Sequence, residues 1–380
     1  MKDRIVYIGN WNRSGQRGIS VCRFHEESGS LSFLKAFYEE VRVGNMCVNR
    51  NRDTLYFTDE SPLFPSLKNG GGKVIACRIN PQNGYLSKLC ERETFATLPD
   101  HLTLDNSGDF LLVVHHGHDI PVTKTGCDAY GKYYLKIVFD DVPTVLYPIT
   151  EDGSIGDACD IYFHKVSGSG KQLQPPHIHY IGRSPLYDLY AACDKGNDEI
   201  CFLRLNKEEK KIEPCSEKGT KALPGGAPRY GAFHPSLPFF YANNEALPFI
   251  SVFSYDAAGN SQRLNDYAIL PDGRTAKSEY QQSDIRFHHN GRFLYSLIRG
   301  ANAISVFKVK ADGSLSLLQF FQMENSQGPR GCELSPDGRF LLVAAQESGE
   351  VITYSVKDDG TLSYQGIKLS LPCPGSILFI

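Results

Sequence analysis

The sequence predicts an all-β fold, namely a single seven-bladed β-propeller with four-stranded antiparallel blades. The first observation behind this prediction is a strand-and-turn pattern that recurs seven times along the 380 residues. The second is an apolar strand and a turn ahead of six of these copies, so that each unit holds about four strands in up-and-down order. The third is that the last unit is divided between the two ends of the chain.

The recurring element is a strand of alternating β-branched and aromatic residues. In most copies an Asp-Gly, Asn-Gly or Ser-Gly step follows it, which is typical of a hairpin turn. A unit of this size cannot bury its apolar face alone, so the repeats indicate neighbours that share a core. The seven copies begin at Gly18, Lys73, Thr144, Glu199, Phe249, Ala303 and Glu350.

The two chain ends are expected to complete one blade. A seventh unit starts at Ser376 and does not continue, whereas the strand that begins at Ile5 has no partner strand before it. Pairing of these two strands would close the ring and remove edges that could template aggregation. The other units start near Val48, Leu102, His179, Tyr230, Ile285 and Gly331.

One unit is longer than the others. We expect one domain over residues 1–380, with insertions at about 117–143 and 156–175 in a single blade. The apolar run that starts at Lys132 suggests an added strand pair, and it follows a strand that ends at the predicted site face. A lid, a contact within a homo-oligomer and a disordered loop all remain open for it.

Composition favours a small ligand. The chain has 40 Lys and Arg against 43 Asp and Glu, a net charge of −3, so it lacks the basic excess that nucleic acid or an anionic membrane would require. The amino terminus has no secretory signal, and no apolar run is long enough for a membrane helix. We therefore expect a cytoplasmic protein whose eleven cysteines, without a Cys-x-x-Cys pair, are reduced.

Polar residues recur where the second strand of each unit ends. In a closed propeller these positions should surround one face, and all but the first are polar or charged. Antiparallel pairing brings the start of each first strand to the same face, which adds Arg229, Arg330 and the histidines His177 and His179. The strand-end positions are Trp11, Glu60, His116, Asp194, Glu245, Arg299 and Gln346.

Arginines clustered in a net acidic protein indicate an anionic ligand, because the guanidinium fork matches carboxylate and phosphate. The run from His115 to Asp119 contains the side chains that zinc or iron prefers. Its spacing is that of a loop, however, and no known metal motif accompanies it. We therefore expect neither a metal nor a cofactor.

Several segments resemble the lactonase family of seven-bladed propellers. They are Pro176-His-Ile-His with Asp194-Lys-Gly-Asn; Gly-Ala-Pro-Arg229-Tyr with Asn-Glu245; the strand that ends at Arg299-Gly; and Gly-Pro-Arg330 with Gln346-Glu-Ser. This family contains the propeller-type 6-phosphogluconolactonases and the fungal carboxymuconate lactonizing enzymes. The resemblance is strong from about residue 177 to the end and weaker before residue 119.

The resemblance implies catalytic roles for four residues: His179 (or His177), Arg229, Glu245 and Arg299. Supporting contacts to substrate are expected from His177, Arg330, Asp194, Lys195, His116 and Gln346. The chain departs from the family pattern at Tyr230, at His115 and His116, and at the strand that ends at Arg299, all beside the expected site. These changes allow a substrate other than 6-phosphogluconolactone.

The leading hypothesis is hydrolysis of an anionic sugar-type lactone. His179 or Glu245 would activate water, and Arg229 and Arg299 would stabilise the developing oxyanion or hold the anionic group. A muconate-type lactonizing cycloisomerase acting on a polycarboxylate, and a propeller that only binds a partner, are the alternatives.

Overall fold

The computed structural model describes residues 3–11, 18–61, 71–168, 173–324 and 326–380. These residues form seven four-stranded antiparallel blades in a ring, which confirms the predicted seven-bladed propeller. Over the described ranges, no helix has the length and apolar character needed to cross a membrane.

The strands follow the chain blade by blade. Blade 1 contains β1 (Asp3–Asn10), β2 (Gly18–His25) and β3 (Leu31–Phe37); blade 2 contains β4 (Val43–Val48), β5 (Thr54–Asp59), β6 (Lys73–Ile79) and β7 (Leu86–Glu93). Blade 3 begins with β8 (Pro99–Leu104) and β9 (Phe110–His115), continues after a hairpin of β10 (Val122–Cys127) and β11 (Tyr133–Val138), and ends with β12 (Pro143–Pro148) and β13 (Asp160–Phe163).

Blade 4 contains β14 (Ile178–Arg183), β15 (Tyr190–Asp194), β16 (Glu199–Asn206), β17 (Lys211–Pro214) and the short β18 (Thr220–Lys221), which also pairs with β16. Blade 5 contains β19 (Pro228–Phe233), β20 (Phe239–Asn244), β21 (Phe249–Tyr255) and β22 (Ser261–Ala268). Blade 6 contains β23 (Gln281–Phe287), β24 (Phe293–Arg299), β25 (Ala303–Val309) and β26 (Leu315–Gln322). Blade 7 contains β27 (Pro329–Leu334), β28 (Phe340–Ala345), β29 (Glu350–Val356) and β30 (Leu362–Ser370).

The last strand, β31 (Pro374–Phe379), completes blade 1 by pairing with β1. The register joins Val6 to Phe379 and Gly9 to Ser376, as the divided unit predicts. Trp11 continues this contact, since its backbone N–H donates to the carbonyl of Cys373 at 2.9 Å. The expected closure of the ring by the two chain ends is thus confirmed.

Neighbouring blades are joined by a repeated contact. A buried tyrosine on the second strand of one blade donates its hydroxyl to the carbonyl of a turn glycine in the next blade, and the residue two positions earlier packs against that glycine. The glycines have positive φ, where L side chains are strained. The four pairs are Tyr7 with Gly84, Tyr56 with Gly153, Tyr241 with Gly313, and Tyr295 with Gly360.

The inner strand of every blade carries a β-bulge close to its start, where one extra residue interrupts the pairing with the second strand. A bulge bends the strand locally and re-aims its side chains. In four blades the bulge leaves one unpaired residue, and these residues are Asp100, His179, Arg330 and Gly375.

The hairpin of β10 and β11 is a separate two-stranded sheet that leaves blade 3 directly after β9. Its large apolar side chains are exposed, Tyr130 to 96% and Leu135 to 77%. A role as lid or as oligomer contact remains a prediction.

Gly360→Ala should destabilise the protein more than Gly366→Ala. The two glycines have φ of 86° and 78°, so both alanines carry a backbone cost of about 1–2 kcal/mol. A Cβ on Gly360 would also clash with the ring of Phe293 across the blade boundary, whereas a Cβ on Gly366 would meet nothing within 4 Å. In urea unfolding, the free energy of unfolding of Gly360→Ala should be about 1–3 kcal/mol lower than that of Gly366→Ala. Equal losses would argue against the contact between blades.

Candidate active site

The bulged inner strands bring charged side chains to the face where the second strands end. Arg229 lies in the bulge of β19, and Glu245 directly follows β20, the strand beside it. Asp100 and His179 occupy the corresponding bulges of β8 and β14. Backbone geometry therefore places an acid, a base and a cation from adjacent blades on one face.

Glu245 is the centre of a buried ion cluster. Its Oε2 lies 2.6 Å from Nζ of Lys195, and its Oε1 lies 3.4 Å from Nε of Arg229 and also contacts Nη2 of Arg299. Burial alone would raise the pKa of Glu245, but the charges of Arg229 and then Lys195 hold the pKa well below its usual range. The carboxylate is therefore ionised and binds cations from three strand ends.

The two arginines in this cluster differ in exposure, since Arg229 is buried and Arg299 is partly buried. Arg229 is 2% exposed, and its Nη1 donates to the backbone carbonyl of Ser283. Burial and the nearby charge of Arg229 lower the pKa of Arg299 to about 10, which still leaves it protonated at neutral pH. Three cations surround one carboxylate, so the cluster keeps a net positive charge.

His179 contacts the carboxylate of Asp100 through its Nδ1. Both residues are buried, and the His179 ring lies 5.5 Å from the ring of Tyr230 and 5.4 Å from that of His116. Burial, followed by the charge of Arg229, lowers the pKa of His179 well below its ordinary value. The imidazole is therefore neutral at pH 7, and the carboxylate favours the tautomer with the proton on Nδ1.

A second acid lies on the other side of Asp100. Glu60 accepts a hydrogen bond of 2.5 Å from Nε1 of Trp11, and burial together with the charge of Asp100 raises the pKa of Glu60 to about 8. The guanidinium groups of Arg42 and Arg330 lie 5.0 and 4.5 Å from the centre of the Trp11 ring. Trp11 thus links the ring-closing blade to the site.

Two further histidines stack at the rim. The rings of His116 and His177 lie 4.7 Å apart, and Nδ1 of His177 is 2.6 Å from the carbonyl oxygen of His116. Nδ1 of His116 is 2.8 Å from the carbonyl oxygen of Gly117. Because a carbonyl only accepts, both rings carry their proton on Nδ1. His115, by contrast, is fully buried and bonds to the carbonyl of Pro143.

The structure brings most of the expected site residues together and leaves two apart. Asp194 is occupied by its own turn, where it accepts from the backbone of His177, Gly196 and Asn197. Gln346 donates to the backbone carbonyl of Trp11 at 3.0 Å and so supports ring closure. The residues that share the face are His116, His177, His179, Lys195, Arg229, Glu245, Arg299 and Arg330.

Sequence reasoning missed Asp100 and Arg42 as members of the site and placed Tyr230 only beside it. A signal for Asp100 existed: it lies 16 residues before His116, the same spacing that separates Arg229 from Glu245. Arg42 precedes its inner strand, and its position follows from contacts with Trp11 that no repeat predicts.

Two groups of side chains among the described residues have ligand atoms close enough to hold a metal ion. One is His116, Asp119 and His177 at the rim. The other is His164, Asp194 and Cys201 beside a cavity of about 480 Å³ at the outer edge of blade 4. In that second group Asp194 is already bound by its turn, and Nε2 of His164 lies 2.9 Å from Oγ1 of Thr144.

Comparisons with known proteins agree with this architecture. A family model described as "Lactonase, 7-bladed beta-propeller" matches residues 5–379. A Bacillus subtilis protein named 6-phosphogluconolactonase is 26% identical over 387 residues, covering 100% of this chain and 99% of the relative. A Formosa agariphila protein of the same name is 25% identical, covering 98% and 97%. The structure of a periplasmic gluconolactonase from Pseudomonas aeruginosa superposes with a TM-score of 0.84 at 22% identity, covering 100% and 99%.

Replacing Glu245 by Gln should flatten the acid limb of the stability curve. A carboxyl whose folded pKa is depressed contributes stability above its unfolded pKa of about 4.3, and that contribution is lost as pH falls. The free energy of unfolding of the wild type should therefore drop more between about pH 6 and pH 3 than that of Glu245→Gln. Glu217→Gln, at an exposed position outside the cluster, is the matched control. Parallel curves for wild type and Glu245→Gln would contradict the ion cluster.

Proposed function

This chain belongs to the lactonase family of seven-bladed β-propellers, and on that premise we propose that it hydrolyses a sugar-type lactone carrying an anionic group. The observation that carries the proposal is the buried contact of His179 with Asp100, next to the cations around Glu245. A base and stabilised positive charge side by side are what ester hydrolysis requires. The names of the relatives favour a gluconolactone or its 6-phosphate.

His179 is the proposed general base. With its proton on Nδ1 against Asp100, Nε2 is free to accept a proton from water, and the resulting hydroxide attacks the lactone carbonyl carbon. Collapse of the tetrahedral intermediate breaks the bond to the ring oxygen, which takes the proton back from Nε2 as it leaves. The product is the open hydroxy acid, and the net change is the addition of one water. Asp100 acts as the orienting carboxylate.

The cations have two proposed tasks. Arg229 and Arg299 lie where they could stabilise the oxyanion of the intermediate, as preorganised donors in a buried site do. Arg330 and Arg42, on the Trp11 side, would hold the phosphate or carboxylate of the substrate, because the guanidinium fork matches both anions. Glu245 keeps Arg229, Arg299 and Lys195 in place before the substrate arrives.

The purified protein should accelerate ring opening of 6-phosphogluconolactone above its spontaneous rate. Because Arg330 and Arg42 favour an anion, KM should be lower for the phosphorylated lactone than for unphosphorylated gluconolactone. The release of acid from each lactone measures both quantities, and a carboxymuconate in the same panel tests lactonization. Turnover of the muconate alone would replace the proposal with a cycloisomerase, and no turnover of any substrate would favour a binding module.

His179→Gln should lower kcat by about 100- to 10,000-fold, the range expected when a general base is lost. His25→Gln, a substitution of the same type in blade 1 where the side chain is 39% exposed, is the control and should keep wild-type kcat. Circular dichroism checks that both variants are folded. Wild-type kcat in folded His179→Gln would remove His179 from the mechanism.

The pH profile should reflect the buried base. Because burial and Arg229 lower the pKa of His179, its imidazole is already unprotonated near neutrality. The acid limb of kcat/KM should therefore lie below the ordinary histidine pKa of about 6.5. An acid limb centred at or above pH 7 would indicate a different base. Rates corrected for spontaneous hydrolysis at each pH provide the measurement.

A further inference from the structure

We infer that His116, His177 and Asp119 form a binding site for a divalent transition-metal ion such as Zn²⁺ at the rim of the candidate active site. Their ligand atoms, one from each side chain, lie within 4.8 Å of one another. Two imidazole nitrogens and one carboxylate oxygen are a donor set that zinc, cobalt and ferrous ions accept.

The tautomers of both histidines suit a ligand role. Metal-binding histidines usually donate their other ring N–H to a carbonyl or carboxylate, which orients the ring and raises its basicity. Here the Nδ1 atoms of His116 and His177 donate to the carbonyls of Gly117 and His116. The lone pair of each ring is therefore on Nε2.

Between His177 and Asp119 only a small contraction is required. Nε2 of His177 and Oδ1 of Asp119 are 3.8 Å apart, too long for a hydrogen bond. Ligand bonds of about 2.0–2.2 Å place two donors of one ion about 3–4 Å apart. Asp119 has a side chain that is 76% exposed and can rotate toward the ion.

The backbone around the three ligands is already held. The N–H of His116 donates to the carbonyl of Leu98 at 2.9 Å, and the N–H of His177 donates to Asp194 at 3.0 Å. The N–H of His118 donates to Asp140 at 3.2 Å, which fixes the loop just before Asp119. Ion binding would therefore order side chains without a change of fold.

Opposite charges act on a cation at this place. The neighbouring cluster around Glu245 carries a net positive charge, although the ammonium of Lys195 is paired with Glu245 at 2.6 Å. Asp119 supplies a negative charge to the ion. Three protein ligands leave coordination positions for water or a substrate oxygen, as in sites where the bound ligand exchanges. The inference does not depend on the proposed lactone hydrolysis, since the ion can be measured without substrate.

The test is calorimetric titration of chelator-treated full-length protein with ZnCl₂, alongside the visible absorption of the Co²⁺-loaded form. We expect about one ion per chain in the wild type, and at least about 100-fold weaker binding by His177→Ala and by Asp119→Asn. His118→Ala, in the same loop but outside the ligand set, should bind as the wild type does. Asp119→Asn changes an exposed side chain, so it remains informative if His177→Ala does not fold.

Absence of binding by the wild type above the buffer signal would overturn the inference. So would equal affinity of the wild type and Asp119→Asn, because the ion would then lie elsewhere. Loss of lactone turnover in a variant that still binds Zn²⁺ bears on the proposed function alone, and loss of Zn²⁺ binding bears on this site alone.

Discussion

The β-bulge near the start of each inner strand is the constraint on which the site depends. A regular strand alternates its side chains between two faces, so neighbouring residues cannot both reach the channel mouth. The bulge breaks this alternation at one position in every blade and turns Asp100, His179 and Arg330 toward a common space. The ring repeats the device seven times, and the side chain placed in the bulge varies from blade to blade.

Glu245 connects that geometry to stability. A carboxylate buried among Arg229, Arg299 and Lys195 is compensated, whereas the loss of Glu245 would leave these cations without their shared partner at a cost of about 3–5 kcal/mol. The proposed substrate brings its own negative charge to the same surroundings. When the anion binds, contacts of these cations with Glu245 can therefore be replaced by contacts with the substrate. The cations have already lost their water before the substrate arrives.

The fold and much of the site follow from local patterns, whereas the bulges do not. Repeated strand and turn residues predict the blades, and their register predicts that Arg229 and Glu245 share a face. A bulge is a shift in backbone pairing without a fixed residue type, so it leaves no mark on the alternation of side chains. Only the 16-residue spacing from Asp100 to His116 indicated the position of Asp100. Asp194 is the opposite case. Its polar side chain at a strand end predicts a site residue, but its carboxylate accepts hydrogen bonds from the backbone of its own turn.

The pairing of β1 with β31 has a consequence for the order in which the chain becomes stable during synthesis. Strand β1 receives its inner neighbour only after residues 374–379 have been synthesised. Until then the apolar side chains of Val6 and Ile8, both fully buried in the finished ring, lack part of their cover. Vectorial folding can assemble blades 2 to 7 in turn, but blade 1 must wait until β31 has been synthesised. The unpaired edge of β1 stays open to chaperones for that whole interval.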